Sequence, residues 1–336
     1  MSRIAVMGSG AWGTAIVLSL ARRVGQHDLT LWSHSPQVSE TITERGENAL
    51  FLPGFAIPKS IRATSNIEEA LHGAEIVVSV MPSHHVRASY EQFAPFLQSD
   101  QVLVCATKGI EDETLLRMSE VIADVLGKSG LRPAVSVLSG PSFAQEVAAG
   151  SPTAITIASD NADLAAHVQR EFGSQSLRLY TNDDVVGVEL GGALKNVIAI
   201  AAGIVSGLGL GHNSAAALIT RGIAETTRLA VACGGRSETL AGLAGIGDLV
   251  LTCTGSLSRN RTVGIELGKG RKLAEILAGL HGKVAEGVNT TSAALGLARL
   301  HHVEMPITEQ VAAILHEDKS PVDAMRQLMS RPGRYE

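Results

Sequence analysis

Apolar and polar positions in the first half of the chain follow two alternating patterns. Short apolar, β-branched runs of the kind that form buried strands recur at residues 4–7, 28–32, 75–80, 101–106, 134–138 and 153–158. Stretches with helical spacing lie between most of these runs, and the clearest cover residues 12–23, 86–97 and 113–126. This strand–helix alternation predicts a mostly parallel sheet covered on both faces, which binds ligands at the carboxyl ends of its strands.

The pattern changes after about residue 184. Ala, Leu and Gly dominate from residue 185 onward and β-branched runs become rare, which indicates closely packed helices. We therefore predict an α/β domain over residues 1–189 and an all-α domain over residues 190–336. The apolar run at residues 197–211 is shorter than the ~20 residues that span a membrane, so the sequence favours a soluble, cytoplasmic protein without membrane insertion.

Composition adds three limits to this picture. The 336 residues include 35 glycines and only 3% aromatic residues, which is typical of closely approaching backbones and many tight turns. The formal net charge of −5 argues against a nucleic-acid partner. Cys105, Cys233 and Cys253 have neither metal-ligand spacing nor the even number of a disulfide framework, so we expect no bound metal and a reducing compartment.

The first motif with a chemical meaning is GSGAWG at residues 8–13, which follows a predicted strand and opens a predicted helix. In this G-x-G-x-x-G pattern, Gly8 permits a tight turn, Gly10 lets the backbone approach a pyrophosphate, and Gly13 lets the helix pack on the strand. The N-terminus of the helix then offers free N–H groups to phosphate. In this context the motif predicts a Rossmann-type dinucleotide-binding domain.

The end of the second strand indicates which dinucleotide is bound. NAD-specific sites usually carry Asp or Glu about 20 residues after the glycines, whereas this strand ends in Trp32-Ser33-His34-Ser35. No carboxylate stands there to repel a 2′-phosphate, and Ser33 and His34 could donate hydrogen bonds to one. We therefore expect NADP to be favoured and NAD to be usable as well.

Residues at the ends of the later strands suit an anionic ligand. Pro82, Lys108, Gly140 and Ser142 each follow a predicted strand. A lysine at the end of a buried strand is energetically costly unless it meets an anion or its ammonium group reaches solvent. Lys108 is therefore a candidate phosphate or substrate contact, with a solvated surface lysine as the alternative.

Lys195 lies inside an otherwise apolar helix, in the stretch GGALKNV at residues 191–197. Gly191 and Gly192 lie one turn before it, so we expect them to leave room beside its ammonium group. Burial lowers the pKa of a lysine and allows it to donate a proton near neutral pH. Lys195 is therefore a candidate general acid.

A second polar cluster lies about fifty residues further along the chain. Asp248 and Thr252 are four apart and share one face if the segment is helical. Ser258, Arg259 and Asn260 follow, and the guanidinium and amide groups suit phosphate binding. The alternative is a polar loop that joins two helices.

Taken together, these segments resemble the bacterial NAD(P)-dependent glycerol-3-phosphate dehydrogenase family. The matching stretches run in the family's order over nearly the whole chain: GSGAWGTA (8–15), ATKGIE (106–111), SGPSFAQEV (139–147), ELGGALKNVIAIAAG (189–203), GLAGIGDLVLTC (242–253), SRNRTVG (258–264) and VAEGVNT (284–290). The resemblance implies a Rossmann-type domain followed by an all-α, 6-phosphogluconate-dehydrogenase-like domain. It also implies reversible reduction of dihydroxyacetone phosphate to sn-glycerol 3-phosphate, the glycerophospholipid precursor, with NADPH or NADH.

The resemblance also assigns roles to individual residues, with Lys195 as the implied general acid and base. Substrate contacts are implied for Lys108, Gly140, Ser142, Lys195, Asp248, Thr252, Ser258, Arg259 and Asn260. Cofactor contacts are implied for Gly8, Gly10, Ala11, Trp12, Gly13, His34, Pro82, Lys108, Ala144, Arg259, Val284 and Glu286. The chain departs from the family at Ala11, where many members have Ser, and at Phe51, where Tyr is frequent.

Two other functions remain open from the sequence. A 3-hydroxy-acid or 6-phosphogluconate type dehydrogenase has a similar domain pair, but its Lys and Asn tend to lie one helical turn apart, whereas Lys195 and Asn196 are adjacent. A dinucleotide sensor without catalysis would not need Lys195, Asp248 and Arg259 together. The apolar helices of the second half allow a homodimer, although packing within the domain explains them equally well.

Overall fold

The computed structural model describes residues 1–280 and 284–333. Its strands are β1 (Ser2–Met7), β2 (His27–Trp32), β3 (Glu47–Asn48), β4 (Leu52–Ala56), β5 (Ile61–Thr64), β6 (Ile76–Ser79), β7 (Val102–Cys105), β8 (Ala134–Ser139), β9 (Thr153–Ala158) and β10 (Leu177–Asn182). Its α-helices are α1 (Ala11–Ala21), α2 (Pro36–Arg45), α3 (Ile67–Leu71), α4 (Val86–Phe93), α5 (Met118–Lys128), α6 (Ala144–Ala149), α7 (Ala162–Phe172), α8 (Val185–Gly207), α9 (His212–Ala232), α10 (Ser237–Leu240), α11 (Asp248–Thr254), α12 (Arg259–Gly268), α13 (Leu273–Ala278), α14 (Glu286–Leu300), α15 (Pro306–His316) and α16 (Pro321–Met329).

Eight of the strands form one sheet, in the order β10-β9-β8-β7-β6-β1-β2-β5. All neighbours are parallel except β8 and β9, which run antiparallel. The six predicted strands and the mostly parallel arrangement are confirmed. The prediction missed the edge strands β5 and β10 and the small hairpin of β3 and β4, because these strands are short or alternate with exposed residues. The helix predicted at 113–126 begins only at Met118.

Both faces of the sheet are covered, as the sequence predicts. In β1, Ile4 and Val6 point into one apolar cluster, whereas Ala5 and Met7 point into the other. The chain order reverses beside β1, because the chain runs from β1 to β2 and β5 on one side and then crosses to β6 on the other. Ligands of open parallel sheets bind at such a reversal, outside the carboxyl ends of the strands.

Helix α8 is the central helix of the second half. An 18-residue window of it is apolar enough to cross a membrane by length and composition, and 94% of that window is buried inside the protein. The apolar run at residues 197–211 overlaps only the last part of this helix, since α8 has 23 residues and begins at Val185. Burial is what marks α8 as a core helix. The predicted boundary between residues 189 and 190 falls within this helix.

Helix α12 crosses α8 with glycine facing glycine. An added Cβ at Gly203 would lie 2.8 Å from the Cα atom of Gly264, and one at Gly207 would lie 3.0 Å from the Cα atom of Gly268. The reverse contact is closer still, because a Cβ at Gly264 would lie 2.0 Å from the carbonyl oxygen of Ile200. Four glycines therefore allow backbone to touch backbone, and this crossing sets where the N-terminus of α12 lies.

Candidate active site

The glycine-rich loop takes the conformation that the motif predicts. Gly8 has φ +133°, a region that favours glycine, and an added Cβ there would lie 2.0 Å from the carbonyl oxygen of Val80. A Cβ at Gly13 would lie 1.9 Å from the carbonyl oxygen of Gly8. Gly10 has open space where its Cβ would be. The loop thus packs against the end of β6 on one side and leaves Gly10 accessible on the other.

The first N–H groups of α1 have no hydrogen-bond acceptor within the described part of the protein. Gly10 is its N-cap residue and provides no side-chain cap. No residue in the described part of the chain accepts a hydrogen bond from the N–H groups of Gly10 or Ala11. Trp12 is half-buried and packs with Ala144, the first residue of α6, against the core. Free N–H groups beside an open glycine fit the pyrophosphate of a dinucleotide.

The structure of the loop after β2 corrects one predicted contact. His34 is exposed, and its ring lies edge-on to that of Trp32 with centroids 6.1 Å apart. Ser33 is only 2% exposed, and its hydroxyl oxygen accepts hydrogen bonds from the Ser9 hydroxyl and the Ser35 N–H. The side chain of Ser33 supports the glycine-rich loop from inside. Only His34 of the two remains available to a 2′-phosphate.

Two lysines and one aspartate form a group linked by hydrogen bonds, in the cleft between the sheet domain and the helical half. The Lys195 ammonium donates hydrogen bonds to Oδ1 of Asp248 and, at 2.8 Å, to the hydroxyl of Thr252. Lys108 reaches the other carboxylate oxygen of Asp248, with 2.5 Å between Nζ and Oδ2. Lys108 follows β7 and Lys195 lies in α8, so Asp248 joins the two halves of the molecule. Asp248 and Thr252 share one face of α11, as predicted.

Burial and the ion pairs have opposite effects on the pKa of Lys195 and on that of Asp248. Burial lowers the pKa of Lys195 to about 8, although the charge of Asp248 raises it in part. Burial disfavours the charged form of Asp248, but Lys108 and Lys195 outweigh it and hold the pKa of the carboxyl below its usual value. Lys195 is therefore charged at neutral pH and loses its proton within the physiological range.

Gly191 and Gly192 make room for other groups than the ammonium of Lys195. An added Cβ at Gly191 would lie 2.6 Å from the carbonyl oxygen of Ala244, in the π-helical turn that precedes Asp248. One at Gly192 would lie 2.5 Å from the hydroxyl oxygen of Ser139, beside the stem of Lys108. Both glycines lie one turn before Lys195 on the same side of α8, and the atoms nearest to the added Cβ positions belong to Ala244 and Ser139 rather than to Lys195. These glycines bring Asp248 and Lys108 to the helix.

The loop after β8 lies beside Lys108. Gly140 has φ +134°, and an added Cβ there would lie 3.0 Å from the Cα atom of Ile155. The carbonyl oxygen of Gly140 accepts hydrogen bonds from Lys108, at 3.2 Å, and from the Ser142 hydroxyl, at 3.0 Å. These contacts hold Lys108 at the carboxyl ends of the central strands.

The beginning of α12 supplies the remaining predicted substrate residues. Ser258 caps this helix through the N–H of Arg261. The Asn260 amide donates to Asn196 at 2.9 Å and accepts from the N–H of Gly287 at 2.9 Å, so it anchors three helices. Arg259 is exposed, and its guanidinium has no hydrogen-bond partner among residues 1–280 and 284–333. A cation in this state fits an anionic ligand.

Glu286, the first residue of α14, contacts the loop that follows β6. Its carboxylate accepts hydrogen bonds from the hydroxyl and the N–H of Ser83, at 2.6 and 3.3 Å. Burial raises the pKa of the Glu286 carboxyl, and Ser83 and the charge of Arg259 oppose that rise. Pro82 directly precedes Ser83, and Val284 lies two residues before Glu286 in the segment that leads into α14. The sequence predicts no role for Ser83, because its partner lies 203 positions away.

A buried ion pair further fixes α8 to the sheet domain. Glu189 accepts hydrogen bonds from the Arg117 guanidinium and, at 2.8 and 2.7 Å, from the N–H and hydroxyl of Ser119 at the start of α5. The sequence does not reveal this pair, since its members are 72 positions apart. Lys195 lies less than two turns further along α8, so this contact helps to set its position. In the described residues, no group of three His, Cys, Asp or Glu side chains could hold a metal ion.

Comparisons with known proteins agree with this geometry. The family model described as "NAD-dependent glycerol-3-phosphate dehydrogenase N-terminus" matches residues 3–165, and the one for the C-terminus matches residues 184–326. A protein of Acidobacterium capsulatum named glycerol-3-phosphate dehydrogenase (NAD(P)+) is 67% identical over 339 residues and covers 100% of both chains. One of the same name from Geobacter sulfurreducens is 54% identical and covers 98% of this chain and 97% of its own.

A solved structure extends the comparison to the fold. The crystal structure of glycerol-3-phosphate dehydrogenase from Coxiella burnetii superposes with a TM-score of 0.93 at 40% identity, covering 98% of this chain and 99% of that one. Both family models, the relatives and the fold therefore point the same way over nearly the whole length. The chain belongs to the NAD-dependent glycerol-3-phosphate dehydrogenase family.

Proposed function

We propose that this protein catalyses the reversible NAD(P)H-dependent reduction of dihydroxyacetone phosphate to sn-glycerol 3-phosphate, with Lys195 as general acid. The observation that carries the proposal is the buried contact of Lys195 with Asp248 and Thr252, at the cleft that the glycine-rich loop borders. Family membership supports the substrate, and the free N–H groups of Gly10 and Ala11 support the cofactor. When bound, NADPH or NADH supplies the hydride that reduces the ketone carbon.

The role of Lys195 follows from charge. Hydride addition to the carbonyl carbon leaves negative charge on its oxygen, and the Lys195 ammonium neutralises that charge by donating a proton. Asp248 holds the ammonium in place and favours its charged form, and the Thr252 hydroxyl accepts a second hydrogen bond. A pKa of about 8 suits both directions, because a general acid works best when its pKa lies near the working pH. In the oxidation of glycerol 3-phosphate, neutral Lys195 takes the hydroxyl proton.

Binding of the substrate phosphate positions the carbonyl group. The Arg259 guanidinium has no hydrogen-bond partner in the described chain, and Asn260 lies next to it with one amide hydrogen left over. Lys108 and Ser142, which share the Gly140 carbonyl as a hydrogen-bond acceptor, contribute a second positive charge and a hydroxyl group from the sheet domain. Binding the phosphate at such a distance from the reacting carbon fixes the carbonyl for hydride transfer.

The cofactor lies along the carboxyl ends of β1 and β6 in this proposal. Gly8, Gly10 and Gly13 shape the pyrophosphate loop, and His34 is the side chain that meets the adenosine ribose. Glu286 and Ser83 border the nicotinamide end, together with Arg259. Because no carboxylate stands beside His34, NADPH is used at least as well as NADH.

The cellular setting completes the proposal. The product is the precursor of glycerophospholipids, and the enzyme works in the cytoplasm on a small-molecule substrate, without a nucleic-acid partner. The burial of α8 inside the protein supports a form without membrane insertion. A homodimer stays a prediction, which sedimentation equilibrium of the purified protein tests.

A coupled pair of assays tests the function. Purified protein with NADPH should lose NADPH absorbance when dihydroxyacetone phosphate is added, and should regain it with glycerol 3-phosphate and NADP at high pH. 3-Hydroxy acids and 6-phosphogluconate serve as comparison substrates, and faster turnover of either would favour the neighbouring dehydrogenase classes. Binding of the cofactor without NADPH oxidation by dihydroxyacetone phosphate and without NADP reduction by any of the alcohol substrates would indicate a sensor and overturn the proposal.

A further inference from the structure

Asn48 is a buried amide in contact with the glycine-rich loop, 39 positions away from it in the sequence. Its side-chain NH2 group donates to the carbonyl oxygen of Ser9, at 2.7 Å, and to the hydroxyl of Thr14, at 2.9 Å. Its carbonyl oxygen accepts from the N–H of Phe51 at 3.3 Å. Asn48 is 1% exposed, and both amide hydrogens are in use. It therefore cannot hold a ligand itself, and its effect must pass through the loop.

The bond to Ser9 determines the direction of the next N–H group. A trans peptide is planar, and its C=O and N–H groups point in opposite directions. Because Asn48 draws the carbonyl of Ser9 into the protein, the N–H of Gly10 points away from Asn48. That N–H has no acceptor among the described residues, and the space beside Gly10 is open. The amide of Asn48 thus aims a free donor at the place where a pyrophosphate oxygen would lie.

Thr14 makes the arrangement rigid. Its hydroxyl receives one hydrogen bond from Asn48 and lies 3.3 Å from the Ser9 carbonyl oxygen, to which it donates. Ser9, Thr14 and Asn48 therefore form a closed group of three. Ser33 also holds this loop, because its buried hydroxyl accepts a hydrogen bond from the hydroxyl of Ser9.

A small hairpin brings Asn48 to this position. Asn48 ends the two-residue strand β3, which pairs with β4 outside the main sheet. Glu47 steadies the hairpin by accepting the N–H of Gly54 at 2.7 Å. Leu52 is 1% exposed, and Phe51 packs against the same apolar cluster as Ala11 and Trp12. The hairpin therefore packs against the same core as the beginning of α1, next to the glycine-rich loop.

We infer that Asn48 is a positioning residue for the cofactor pyrophosphate, acting through the peptide between Ser9 and Gly10. The inference rests on the proposed function only in that the loop binds a dinucleotide. Asparagine is required because the two groups that it meets, a carbonyl and a hydroxyl oxygen, both accept hydrogen bonds. An aspartate at this position would place a negative oxygen against the Ser9 carbonyl and turn the peptide.

Direct binding measurements on two variants test the inference. In Asn48→Asp, the dissociation constants for NADPH and NADH, measured by titration calorimetry well below the unfolding midpoint, should both rise about tenfold, a loss of about 1.4 kcal/mol of binding free energy. The two factors should be equal, because both cofactors share the pyrophosphate. Thr14→Val, which keeps the side-chain shape but removes the hydroxyl, should raise both constants by a smaller, equal factor. It decides the question if Asn48→Asp does not fold.

A matched control separates positioning from stability. Asn161 caps α7 through one hydrogen bond to the N–H of Leu164 and does not touch the glycine-rich loop. Asn161→Ala should lower the unfolding midpoint and leave both dissociation constants unchanged. Folded Asn48 and Thr14 variants with wild-type dissociation constants would overturn the inference, and so would a rise for NADPH alone. A wild-type protein that binds both cofactors but does not reduce dihydroxyacetone phosphate would contradict the proposed function and leave this inference intact.

Discussion

Lys195 and Lys108 bind the two oxygens of a single buried carboxylate, that of Asp248. Lys195 comes from the central helix of the helical half and Lys108 from the loop after β7, so the pair spans the cleft. Two cations against one anion leave an excess positive charge in a buried place. Such an excess stabilises an anionic ligand and the negative oxygen that forms during ketone reduction.

Removing the ammonium of Lys195 should reduce the chemical step and spare cofactor binding. For Lys195→Ala we expect kcat for dihydroxyacetone phosphate reduction to fall by roughly 10²–10⁴-fold, the usual contribution of a general acid. The dissociation constant for NADPH should change little, because the pyrophosphate loop is separate from Lys195. Steady-state kinetics and cofactor titration measure the two effects. The exposed Lys269, paired with Glu266, offers a control in Lys269→Ala, and near-normal kcat in Lys195→Ala would contradict the assignment.

The pH profile should report the proton on Lys195. Reduction needs the charged ammonium, so kcat/KM for dihydroxyacetone phosphate should fall as pH rises through about 8. Oxidation of glycerol 3-phosphate needs the neutral amine, so its kcat/KM should rise over the same range. Rates measured in both directions between pH 6 and 10 on one buffer series check the sign. Profiles that run parallel in the two directions would exclude this proton.

Asp248→Asn should move that pH dependence downward. The negative charge of Asp248 raises the pKa of Lys195 against the effect of burial, so its loss lowers that pKa below about 8. The fall of kcat/KM for reduction should then begin at a lower pH than in the wild type. Stability should also drop, because both lysines lose a buried partner. A wild-type midpoint of the pH profile would show that Asp248 does not control Lys195.

Arg259→Lys should weaken substrate binding although it keeps the positive charge. An ammonium cannot replace the planar, two-pronged guanidinium in phosphate binding. We expect KM for dihydroxyacetone phosphate to rise by at least about tenfold, or ~1.4 kcal/mol. Arg271→Lys, at an exposed arginine paired with Glu266, is the matched control and should have no effect. An unchanged KM in Arg259→Lys would remove Arg259 from the phosphate site.

His34→Asp should shift cofactor preference. An aspartate beside the adenosine ribose would repel a 2′-phosphate and accept hydrogen bonds from ribose hydroxyls. The ratio of kcat/KM for NADPH to that for NADH should therefore fall, by tenfold or more, relative to the wild type. The wild type itself should use NADPH at least as well as NADH. A strong wild-type preference for NADH would show that His34 does not face a 2′-phosphate.

The glycine-rich loop and Lys195 could be predicted from the sequence because each carries a local signal. The loop is a six-residue pattern between a strand and a helix, and Lys195 is a charge within an apolar helix. Its partner Asp248 was predictable only in outline, since 53 positions separate the two. The four-residue spacing to Thr252 indicated a shared helical face, and the structure confirms it.

Contacts between polar residues that lie far apart in the sequence could not be predicted, because no local pattern marks them. Asn48 and Ser83 are ordinary polar residues in loop-like stretches, and their partners lie 39 and 203 positions away. Ser33 shows the opposite error, because a hydroxyl at a strand end was expected to face the ligand. Pairing between strands decides which way that side chain points, and the structure turns it inward to the hydroxyl of Ser9.

The glycine crossing of α8 and α12 has a consequence for how this enzyme can change over time. At an ordinary helix contact, a substitution to a larger side chain on one helix can be compensated by a smaller side chain on the other, so the two helices evolve together. Where backbone contacts backbone, no side chain can become smaller to compensate for a larger one. One added methyl group at Gly203 or Gly264 would therefore push α12 outward. Arg259 and Asn260 would move with it. Selection for a new substrate is therefore expected to act on loops around the cleft before it touches this crossing.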